Sequence, residues 1–103
     1  GQTSAAAAAF LRSFGLRYPG RAVDLDTAEA YDAAMLLITG INHLVRAGQA
    51  VTRSSVLEQV RRVQYAGLIG PISFDGNGDI AHGVFTVYRV QRDVWTPIQE
   101  IRA

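Results

Sequence analysis

A chain of 103 residues is long enough for one domain with one core, and such a domain removes about 60–65% of its unfolded surface from water. An apolar share of 49% beside a charged share of 18% excludes a disordered tail, and a formal charge of +1 gives no reason to expect nucleic acid or an anionic membrane as partner. Cysteine is absent, which excludes a disulfide framework, a thiolate metal site and a thiol nucleophile; apolar runs such as Ala33 to Ile38 fall far short of the roughly 20 residues that cross a bilayer.

The opening GQTSAAAAAF lacks a basic stretch followed by an apolar core, so it does not read as a signal peptide. It reads as a cut end, with any export signal expected upstream. A first helix is predicted from Ala5 to Phe14, with Phe10, Leu11 and Phe14 on one stripe, Gly15 as its stop and Tyr18-Pro19-Gly20 as the turn beyond. The second helix is the clearest signal. Asp26 is the expected cap, with Glu29 completing a capping-box-like pair. Tyr31, Ala34, Met35, Ile38, Ile41 and Val45 follow helical spacing, and Leu36, Leu37 and Leu44 widen the apolar arc until Gly48 ends the helix. An arc this broad calls for cover on more than one side.

Thr52 starts a third helix, flanked by Val51 and Val56 as a hydrophobic staple. Val56, Leu57, Val60 and Val63 are expected to face inward, Glu58 and Arg62 to pair on the wet face, and Gly67 to close the helix. Beyond it the pattern changes. Gly70 to Phe74 reads as extended, Asp75-Gly76-Asn77-Gly78-Asp79 as a turn, and Val84 to Val90 as a strand. Arg92-Asp93 separates that strand from Val94 to Ile98, where Pro97 marks an edge. The fold class is α+β: three helices followed by a β-hairpin, with residues 1–66 helical and 67–103 extended within one segment.

Few residues offer chemistry. Asp75, Asn77 and Asp79 alternate as calcium ligands do, but Ile80 stands where that loop needs glycine and Thr86 where it needs its closing glutamate, so a tight turn is the preferred reading. His43 and His82 have no second ligand at helical spacing, and Ser54, Ser55 and Ser73 sit in no nucleophile elbow. Gly67-Leu68-Ile69-Gly70 and Gly76-Asn77-Gly78 match no phosphate-binding loop. Arg61 and Arg62 beside Glu58 read as solvated surface. No catalytic residue, metal or cofactor is expected.

Two stretches carry a family resemblance. Ala30-Tyr31-Asp32-Ala33-Ala34-Met35-Leu36-Leu37 resembles the helix after the last ligand-facing loop of type I periplasmic solute-binding proteins. Gly67-Leu68-Ile69-Gly70 through Phe74-Asp75-Gly76-Asn77-Gly78-Asp79 resembles the family's near-terminal signature, Gly-x-x-Gly-x-x-x-Phe-Asp-x-x-Gly-Asp. Arg17-Tyr18-Pro19-Gly20 and the strand Val84 to Val90 are similar to neighbouring family segments, in the same order. The branched-chain amino-acid-binding branch, related to receptor ligand-binding regions, is the best match.

The resemblance implies the C-terminal portion of a two-lobed α/β protein that closes around a small molecule without catalysis, outside the cytoplasm, as a periplasmic or cell-surface lipoprotein component of an ABC transporter. Its implied partners are an amino-acid-like ligand and a membrane permease. Position also implies ligand contact at the loop before the second helix, at Leu25, Asp26 and Thr27. A sensory domain of a signalling protein is an alternative, as is a small helical interaction module, which predicts a compact fold without exposed apolar faces. A fragment of a larger protein instead exposes its second helix and hairpin, and self-associates or joins the missing remainder.

Overall fold

The structure, a computed structural model, describes residues 4–103; the first residues of the opening read as a cut end lie outside them. Three helices, α1 (Ala5–Arg17), α2 (Leu25–Arg46) and α3 (Arg53–Arg61), precede two small antiparallel sheets. β1 (Tyr65–Gly67) pairs with β2 (Gly70–Ile72), and β3 (Val84–Gln91) pairs with β4 (Val94–Arg102). The class is α+β as expected, with one short sheet more than the sequence reading contained.

Helix boundaries correct that reading in three places. Gly15 does not stop α1, which runs on to Arg17 and caps at Tyr18; Gly15 lies where a Cβ would sit 3.7 Å from Val23, a tolerable contact rather than a break. The cap of α2 is Asp24, not Asp26. Asp24 accepts from the Thr27 backbone N–H at 3.2 Å while Thr27 Oγ1 accepts from the Asp24 N–H at 3.4 Å, so the reciprocal box closes two residues earlier than the Asp26–Glu29 spacing predicts. Gly67 does not close α3, which caps at Arg62; the chain then turns into β1. Thr52 is the cap of α3 as expected, in a box with Ser55.

The core is a narrow seam. On α2 the buried residues are Ala28, Asp32, Leu36, Gly40 and Leu44, spaced by four along one row. α1 packs on this helix through buried Ala7 and through Phe10, whose ring lies 4.7 Å from that of Tyr31. α3 comes close at Gly40, where an added Cβ would meet Gln59 Cβ at 3.3 Å. Leu57, expected inward, is exposed; Glu58 instead draws both Arg62 (3.4 Å) and Arg61 (3.9 Å) on the solvent side.

β3 and β4 form a hairpin whose turn residues Arg92 and Asp93 both adopt positive φ, the hand that matches strand twist. The second strand extends to Arg102, well past Ile98. Pro97 pairs with Tyr88 and Gln99 with Val87, leaving Ile98 as a bulge beside the proline. No residue of the two strands is buried. A radius of gyration of 16.6 Å and extents of 56 × 35 × 21 Å describe an elongated body, against about 13 Å for a compact domain of this length.

Candidate functional site

The three residues that the family resemblance singles out, expected in the loop before α2, form its first turn. Leu25 and Asp26 occupy the first turn and are exposed, while Thr27 is half-buried with its hydroxyl engaged by Asp24. The structure therefore leaves Leu25 and Asp26 open at a helix N-terminus and commits Thr27 to the cap.

Six residues further along α2, Asp32 makes the connection that sequence reasoning missed. It is 1% exposed, the one charged residue in the buried seam. Its Oδ1 accepts from the backbone N–H of Leu68 at 2.9 Å and its Oδ2 from that of Ile69 at 3.1 Å. The two donors are the loop residues between paired Gly67 and Gly70. A buried carboxylate needs such partners, because removing its charge from water unaided is costly. The turn needs Gly67 in return: a Cβ there would lie 2.5 Å from Asp32 Oδ2. Ser4, the cap of α1, donates from Oγ to Leu68 O at 2.6 Å and accepts from the Ala7 N–H at 3.1 Å. One signal was available in the sequence, since Asp32 falls on the same four-residue row as Ala28, Leu36 and Leu44.

Tyr65, at the start of β1, has a phenol raised above its ordinary value, first because burial disfavours the phenolate and then because Asp32 and Tyr31 add unfavourable charge. The Asp75 loop is a turn, as preferred: Asp75 Oδ1 accepts from the Asn77 and Asp79 backbone N–H groups at 2.8 and 3.0 Å, and Phe74 bridges to Ile80. Among the described residues, no three His, Asp or Glu side chains gather as a metal site, and no helix is long and apolar enough to cross a membrane.

One open feature is apolar. Leu37, Ile41, Val51, Val56, Leu57 and Val60 line a groove of about 620 Å³ between α2 and α3. It continues along α2 through exposed Ile38 and Val45. A compact interaction module predicts no such exposed apolar face.

Helices with an open apolar flank, a turn locked to the middle helix and a freestanding hairpin fit one part of a layered α/β protein better than a closed domain. The family model described as periplasmic binding protein matches residues 2–94. The chain belongs to this family, of the type I, branched-chain amino-acid-binding type. The two stretches that carry the resemblance are the two that meet at Asp32. No curated protein matches the chain. Membership implies a solute-binding role and an extracytoplasmic location, and the family is generally non-catalytic.

Proposed function

We propose that the chain is the C-terminal segment of a solute-binding protein that captures an amino acid or similar metabolite for an ABC transporter, without catalysis of its own. The observation that carries this reading is the two-sidedness of α2. One row is packed by α1, α3 and the Asp32 junction, while Leu37, Ile38, Ile41 and Val45 on another flank stand exposed, as do most apolar residues of the hairpin. Helices that flank a β-layer have this character.

In this reading the ligand favours the closed arrangement of two lobes by contacting both, and the closed form is recognised by a membrane permease from the periplasm or the cell surface. Leu25 and Asp26 face the ligand. The Asp26 carboxylate suits the ammonium group of an amino acid, and Leu25 an apolar part of its side chain. Thr27 supports them through the cap.

The test is thermal stabilisation of the intact protein in a screen of free amino acids. A cognate ligand at a hundred times its Kd adds about 2.7 kcal/mol of stability, and Asp26→Asn weakens it about tenfold. Absence of any saturable shift across acidic, basic, polar and branched-chain amino acids contradicts the proposal.

A further inference from the structure

The helical part and the C-terminal part meet at a polar junction whose construction has a mechanical consequence. Three hydrogen bonds between described residues cross from residues 4–62 to residues 65–103, and each ends on Leu68 or Ile69. Both oxygens of Asp32 are used, one for each successive N–H, a match of two acceptors to two donors that an amide could not reproduce. Ser4 adds the Leu68 carbonyl to the same turn, so α1, α2 and the β1–β2 loop are joined at one place. Ile72, the one buried residue of the two short strands, lies just beyond it. The β3–β4 hairpin, by contrast, is held by its own ladder and has no buried residue.

We infer that Asp32 is a positioning residue whose carboxylate locks the Tyr65–Ile72 strap onto α2, and that this strap opens from the helices as a unit when the lock is released. The lock sets where the closing strands leave the helical layer. It also holds the strap in one frame with the first turn of α2, because Asp26 and Asp32 sit on the same rigid helix, about 9 Å apart along its axis. The inference depends on no ligand, so its failure and that of the solute-binding reading are separable.

Hydrogen exchange on the full chain tests it. In Asp32→Asn, amides of residues 65–72 should exchange about tenfold faster or more, because one backbone N–H then faces an amide NH₂. Those of residues 40–47, at the far end of α2, should stay within about twofold of the unaltered chain. A merely structural role for Asp32 would accelerate both sets together, and that result overturns the inference, as does an unchanged strap. Exchange of the unaltered chain in low urea gives an answer even where the variant does not fold. The strap amides should then share one opening, reached at lower urea than the amides around Leu44; a single opening common to both contradicts the lock.

Discussion

The buried row of α2 and the β3–β4 hairpin are both rich in apolar side chains, and they end up in opposite environments. Leu36 and Leu44 are 5% and 2% exposed, whereas Trp95 is 72% and Phe85 60% exposed. Both regions have regular, well-paired backbones, so the difference does not lie in secondary structure. It lies in whether a second layer from this chain reaches them. α1 and α3 bury only one row of α2, and nothing among the described elements packs extensively on the hairpin. An apolar face thus states that cover is needed and leaves open which element provides it.

Truncating Leu44 and Trp95 sharpens the contrast most. Leu44→Ala should cost about 3 kcal/mol, from lost burial and the cavity left behind. Trp95→Ala in the same chain should change stability by less than about 0.5 kcal/mol, as surface changes do. Urea denaturation reads both, and a large loss for Trp95 in the chain alone would mean that the hairpin is packed after all.

Next in size is the junction glycine. Gly67→Ala should cost about 2 kcal/mol through the overlap with Asp32. In an Asp32→Ala background the same change should cost clearly less, because the obstructing carboxylate is gone. A double-mutant cycle on unfolding free energies reveals the coupling, and strict additivity would argue that the strain arises elsewhere.

The cap of α2 comes third. Asp24→Ala should lower stability by about 1 kcal/mol, and Asp26→Ala by less, since Asp26 accepts no capping bond among the described residues. The reverse order would restore the Asp26–Glu29 box.

The smallest effect is the alkaline response of Tyr65. Its folded-state pKa is raised above the unfolded value of about 10, so the folded chain holds the phenolic proton more tightly. The stability that this represents is intact below the unfolded value and is lost as pH rises through the folded one. Tyr65→Phe should therefore flatten the decline of the urea midpoint above pH ~10 relative to the unaltered chain.

Much of the architecture was legible because its signals are local. The three helices, the cap at Thr52, the Asp75 turn and the two-residue hairpin turn all follow from residues within a few positions of one another. Competing local signals caused the misreadings. Asp24-x-x-Thr27 and Asp26-x-x-Glu29 both satisfy capping spacing, and only the backbone decides between them. Val63 to Ile69 is too short an apolar run to separate strand from helix, and its strand character comes from pairing with β2. The place of Asp32 on the Ala28–Leu44 row was legible, but its partners were not, because its donors lie 36 and 37 residues away. The ligand loop was named by resemblance alone; the structure adds that Thr27 is occupied while Leu25 and Asp26 stand open.

The outer flank of α2 is shaped to be covered. Sedimentation of the 103-residue chain, with and without Ile41→Glu, addresses it most directly. Concentration-dependent association and binding of an apolar dye are expected of the unaltered chain, both diminished by the charged substitution. A monomer at all concentrations that binds no dye would contradict it.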